Sequence, residues 1–101
     1  MSAYMISQVT VTDKEKFQSY LAGTRSVSAK YGAKPVALGA QPKMLNGDHD
    51  GHQMVVVIEF ETMEKLDSWY NSDEYKALVP LREEGSEQRM VAYEQWAPPP
   101  T

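Results

Sequence analysis

Residues Tyr4 to Val11 are mostly apolar or β-branched, and the run stops at Thr12, so it predicts a first strand. Thr12 followed by Glu15 has the spacing of a capping box, in which hydroxyl and carboxylate each satisfy an orphan backbone donor at a helix start. Phe17, Tyr20, Leu21, Thr24, Val27 and Tyr31 recur at three- and four-residue steps, one mostly apolar helical stripe that Gly32 can end. Lys34 to Ala40 reads as a second strand, interrupted by Gly39 and flanked by Pro35 and Pro42, which confine it to a sheet edge. Met44 and Leu45 are placed as its extension. Asn46-Gly47 and Asp50-Gly51 then form a polar hairpin loop.

Met54 to Phe60 has the highest β-propensity in the chain and is apolar at both parities, the pattern of a strand buried on two faces. Thr62 can cap a short helix presenting Met63, Leu66 and Tyr70, and Asn71 with Glu74 has the spacing of a second capping box. Tyr75, Leu78, Val79 and Arg82 share the next helical face, which Pro80 must bend or re-nucleate before Gly85 ends it. Gln88 to Trp96 completes the pattern as a last strand. The order βαββαβ predicts an α+β, ferredoxin-like domain with a four-stranded antiparallel sheet and the first and third strands at its centre. Two helical layers' worth of residues cover one sheet face, so the other calls for a second subunit and the chain is read as a homodimer.

Composition changes this picture little. The 101 residues suit one domain, taken as residues 1–96 with a proline-rich, flexible tail over 97–101. A formal net charge of -4 and the lack of any basic run argue against nucleic acid. No stretch approaches a membrane span, and the beginning Met1-Ser2-Ala3-Tyr4 lacks signal-peptide regions, so a cytoplasmic protein is expected. The absence of cysteine removes disulfides, thiolate metal sites and a Cys nucleophile.

Several motifs in order carry a resemblance to a known family: Ala3-Tyr4, then Val57-Ile58-Glu59-Phe60, then Trp69-Tyr70-Asn71-Ser72-Asp73-Glu74-Tyr75 running on to Pro80-Leu81-Arg82. They resemble the domain of unknown function 1330 family of dimeric α+β barrel proteins, from Tyr4 to about Tyr93. The resemblance implies the ferredoxin-like fold and a back-to-back sheet dimer. It carries over no reaction and no catalytic residues. The wider superfamily holds cofactor-free monooxygenases, isomerases, haem-processing enzymes and ligand-binding regulators, so fold alone does not select a function.

Candidate chemistry rests on a few side chains. Glu59 follows five apolar residues: buried, its carboxyl would be raised toward a proton-transfer role, whereas near the strand end it would be half exposed or paired. Arg82 on an apolar helical face must find an anionic partner or reach water, so it either pairs with Glu59 or binds a substrate carboxylate or enolate. His49 and His52 lie in a turn-rich loop whose every residue is explained by turn chemistry, so no metal is expected; His52 adjoins the third strand and is the candidate acid or base. Trp69, Tyr70 and Tyr75, with Tyr4, are candidate ligand walls, aromatics at such spacing serving the core as readily. Nucleophile-elbow, phosphate-loop and zinc-helix motifs are absent. Two readings follow: a small enzyme without a bound cofactor acting on a compact organic molecule by proton transfer, with Glu59, His52 and Arg82 as its groups, or a non-catalytic ligand-binding or structural dimer.

Overall fold

The computed structural model describes residues 1–96; the tail over 97–101 lies outside the described residues. The chain runs β1 (Ala3–Val11), α1 (Lys14–Ala29), β2 (Lys34–Ala40), β3 (Met54–Phe60), α2 (Met63–Tyr70), α3 (Asp73–Lys76), α4 (Val79–Gly85) and β4 (Ser86–Glu94). The strands form one antiparallel sheet in the order β2-β3-β1-β4, so the ferredoxin-like arrangement and the edge position of the proline-bearing strand are as the sequence predicts. Among the described residues no helix is long and apolar enough to cross a membrane.

Strand parity decides what each residue does. Ala3, Met5, Ser7 and Val9 of β1 and Val56, Ile58 and Phe60 of β3 are buried under the helices. Their neighbours Tyr4, Ile6 and Gln8, and Val55, Val57 and Glu59, point to the open face and are half-buried. The helices contribute Phe17, Tyr20, Val27, Leu66, Trp69 and Tyr75 to the same core, with Trp69 and Tyr75 fully buried.

Local chemistry shifts several element ends from their expected places. Asp13, not Thr12, caps α1, accepting from the Lys16 N–H at 3.2 Å, because Thr12 Oγ1 is turned toward the Glu84 carbonyl. Thr62 caps α2 as expected. Ser72, rather than Asn71, caps α3, since Asn71 ends α2 and donates its side-chain amide to the Asp67 carbonyl. Pro80 sits in the first turn of α4, where its missing N–H has no cost, and so re-nucleates the helix. Helix α1 ends at Ala29, before Gly32, whose positive φ serves the turn that follows. β2 stops at Ala40 and Leu45 is 90% exposed, so Met44 and Leu45 do not extend the strand. β4 begins at Ser86 and ends before Trp96, which is exposed.

Gly85 joins the two halves of the domain. Its carbonyl accepts from the Thr12 and Asp13 N–H groups at 2.9 and 3.1 Å, and a Cβ on it would stand 2.7 Å from the Phe17 nitrogen. The clashing atoms are backbone at the start of α1 and cannot turn aside. Gly85→Ala is therefore expected to destabilise the domain by roughly 1 to 3 kcal/mol, which a domain of this size registers as a melting temperature lowered by about 4 to 8 °C per kcal/mol. The exposed neighbour change Glu84→Ala serves as control in the same calorimetric scan, and an unshifted Gly85→Ala would refute the close approach.

Candidate functional site

The residues singled out in the sequence divide between the two faces of the sheet. Arg82 leaves α4 on the helix side, with its side chain only 15% exposed. Its Nη1 lies 3.1 Å from the Tyr75 hydroxyl, 3.2 Å from the Tyr70 hydroxyl and 3.5 Å from the Met90 sulfur, while Nη2 donates to Glu83 at 2.8 Å. Glu59 is on the open face, where it accepts from the Ser2 hydroxyl at 2.8 Å and sits in register with Tyr4 and Lys34. The Glu59–Arg82 pair, one of the two alternatives for Arg82, does not form, because Phe60 faces the core and its predecessor must face away. Tyr4 shares the open face with Glu59. Glu59 therefore shares no cavity with Trp69, Tyr70 and Arg82, from which the sheet separates it.

His52 lies at the other end of β3. With His49, Asp50, Gln8 and Arg89 it borders a shallow depression of about 400 Å³ beside the hairpin loop. Its Nδ1 is 3.3 Å from Asp50, and its backbone N–H donates to the same carboxylate at 2.9 Å, holding the Asp50 carboxyl below its ordinary range. Among the described residues no three His, Cys, Asp or Glu side chains are grouped as metal ligands.

What the fold brings together instead is a tyrosine–arginine cluster. The Tyr20 and Tyr75 hydroxyls are 2.8 Å apart, and the Tyr75 hydroxyl lies 3.6 Å from Met90. The Trp69, Tyr70 and Tyr75 rings pack at centroid distances of 4.6 to 6.0 Å. Burial raises both Tyr20 and Tyr75 above the ordinary phenol range, with the neighbouring hydroxyl adding to the effect on Tyr20. Burial also opposes the Arg82 charge, yet the bonds to Glu83, Tyr70 and Tyr75 outweigh it and hold the guanidinium charged. Sequence reasoning assigned Tyr20 to the helical stripe and missed its hydroxyl; the signal was that a buried Tyr needs a polar partner.

Beside this cluster a cleft of about 230 Å³ opens between α2 and the β4 side of the sheet. Met5 of β1, Leu66, Asp67 and Tyr70 of α2, and Met90, Val91 and Ala92 of β4 line it. Arg82 stands one layer behind, against Tyr70 and Met90. Trp69 and Tyr75 belong to the core and not to the wall. The site thus offers an apolar slot with a phenol and a carboxylate on its wall and a supported cation one layer behind the phenol.

The raised phenols give an alkaline test. Both groups are protonated in the fold and in the unfolded chain below about pH 10, so their contribution is complete there. Above that pH the unfolded chain releases protons that the fold retains, and stability falls as pH rises. Chemical denaturation between about pH 9 and 11 is expected to show this loss, with a shallower slope in Tyr20→Phe. At neutral pH Tyr75→Phe removes the acceptor of Arg82 Nη1 and the hydrogen-bond partner of the Tyr20 hydroxyl and is expected to cost about 1 to 3 kcal/mol.

Comparison with known proteins adds the following. A search of curated proteins returns no significant match. A protein of unknown function from Rhodopseudomonas palustris is similar in structure, at 19% identity over 96% of this chain and 84% of its own, with a TM-score of 0.77. SnoaB from Streptomyces nogalater, a cofactor-independent oxygenase, superposes over 99% of this chain and 98% of its own at 14% identity and a TM-score of 0.63. A dimeric protein of unknown function with a ferredoxin-like fold from Bacteroides fragilis matches over 93% of this chain and 96% of its own, at 16% identity and a TM-score of 0.52. These likenesses bear on the fold alone. The model of the DUF1330 family, a domain of unknown function, matches residues 2–96, and the chain belongs to that family.

Proposed function

We propose that the protein is a homodimer that binds a compact organic molecule in the cleft between α2 and β4, with Arg82 supplying positive potential at the polar end. The observation that carries this reading is a mostly buried guanidinium held among phenols and a thioether, beside an apolar slot, with the exposed Glu83 carboxylate as its one ion-pair partner among the described residues. Such a group stabilises negative charge developing on a bound oxygen, the requirement of enolate chemistry without a bound cofactor. The description of SnoaB as a cofactor-independent oxygenase supports the compatibility of this fold with that chemistry. Glu59 and Tyr4 enter this reading through the dimer face, and His52 through the loop at its rim.

A structural role for the same cluster is the second reading. Tyr20, Tyr75, Arg82 and Met90 come from α1, α3, α4 and β4, so their bonds also tie four elements together. Arg82→Ala separates the two. Loss of every hit from a fragment screen, with melting lowered by no more than about 5 °C, is the result expected of a binding group. No hit on the wild-type protein, together with a loss of about 2 kcal/mol or more in the variant, would replace it with the structural reading.

The open face supports the homodimer reading: Ile6, Val55, Val57 and Val91 form a half-buried apolar centre there and Tyr93 is 52% exposed. Light scattering at micromolar concentration is expected to give twice the 11.4 kDa chain mass. Val57→Lys is expected to yield a monomer, since an unpaired ammonium at the centre of such a face costs several kcal/mol. A wild-type mass of one chain would refute the assignment.

A further inference from the structure

We infer that the cleft takes a one- or two-ring carbonyl compound carrying a hydroxyl on the same edge, with Tyr70 donating to the carbonyl oxygen and Asp67 accepting from the hydroxyl. The inference rests on the small-molecule reading of the cleft and names the ligand chemistry that its walls select.

The size of the slot sets the first limit. At about 230 Å³ it falls below the roughly 300 to 1,000 Å³ of sites for drug-sized ligands, while an engineered apolar cavity of about 150 Å³ holds benzene. One substituted ring or two fused rings therefore fit. Met5, Leu66, Met90 and Ala92 give the slot apolar sides, and the two thioethers make favourable contacts with ring edges.

The direction of the Tyr70 hydrogen bond sets the second. A guanidinium has donors and no acceptor, so the Arg82–Tyr70 bond fixes the phenol oxygen as the acceptor. The phenol hydrogen stays available, and among the described residues no protein acceptor receives it. The Tyr70 residue is 40% exposed and lines the cleft. Polarised by the cation behind it, this O–H is a donor directed at an acceptor oxygen.

Asp67 supplies the complement. It lies three residues before Tyr70 on α2 and lines the same cleft, so the two side chains leave the helix with Cβ atoms roughly 5 to 6 Å apart. A carboxylate on the wall disfavours a fully anionic ligand and favours a hydroxyl donor. The pair thus reads an acceptor and a donor on one edge of the guest. A neutral hydroxy ketone meets both demands, and a carboxylate meets only one.

The test uses the full chain labelled at its methionine methyl groups, with 2-hydroxyacetophenone, acetophenone and ethylbenzene as probes. All three are expected to shift the Met5 and Met90 methyl signals, with affinity falling in that order. Tyr70→Phe, which keeps the ring and its packing, is expected to weaken both ketones about tenfold (1.4 kcal/mol) and to leave ethylbenzene unchanged. Asp67→Asn is expected to remove the advantage of the hydroxy ketone over acetophenone. Ketones that shift the methyl signals with equal affinity in wild type and Tyr70→Phe would overturn the donor assignment while keeping the cleft. Probes that leave both methyl signals unmoved would overturn the cleft reading and this inference together.

Discussion

A four-stranded sheet has two faces, and the helices of this chain cover one of them. Every other feature depends on how the two-residue period of the central strands divides side chains between those faces. Val56, Ile58 and Phe60 close the core against Trp69 and Tyr75; Val55, Val57 and Glu59 are left on the other side. The same parity in β1 sends Met5 to the cleft and Tyr4 away from it. A one-residue slip of β3 would exchange the two sets, burying Glu59 and exposing Phe60, so the register is strongly specified.

On the covered side, one cation organises the polar groups. Arg82 could not remain on an apolar helical face without partners, and the partners it finds are neutral phenols and a sulfur. These solvate the charge without cancelling it. Among the described residues only Glu83 pairs with it, from an exposed position where screening is strong. A buried pair with Glu59 would instead have set the charge against a second buried charge.

The sequence displayed the element order, the edge strand and the central strand because each rests on local rules: proline at an edge, β-branched residues at both parities, apolar residues at helical steps. Caps moved by one residue where two candidates adjoined, as with Thr12 and Asp13 or Asn71 and Ser72, since either side chain can satisfy the orphan donors and tertiary contacts choose between them. The site was less legible. Arg82, Tyr70 and Tyr75 were found as residues, and their mutual bonds were not, because Tyr20 and Met90 reach the cluster from elements distant in sequence. Glu59 sits half-buried near the end of β3, the second of its two sequence alternatives, and the parity of Phe60 sets it on the face opposite Arg82.

This division of labour links the two surfaces. The helix-side cleft is bordered by β4, an edge strand whose outward residues Val91 and Tyr93 belong to the open face. A subunit docked on that face would press on the same strand that carries Met90 and Ala92 into the cleft. Strand β4 is held by a nine-residue antiparallel ladder with β1, from Ala3↔Glu94 to Val11↔Ser86. In the proposed homodimer, subunit and ligand would therefore share one strand, β4, whose Val91 and Tyr93 side chains face the partner while Met90 and Ala92 face the cleft.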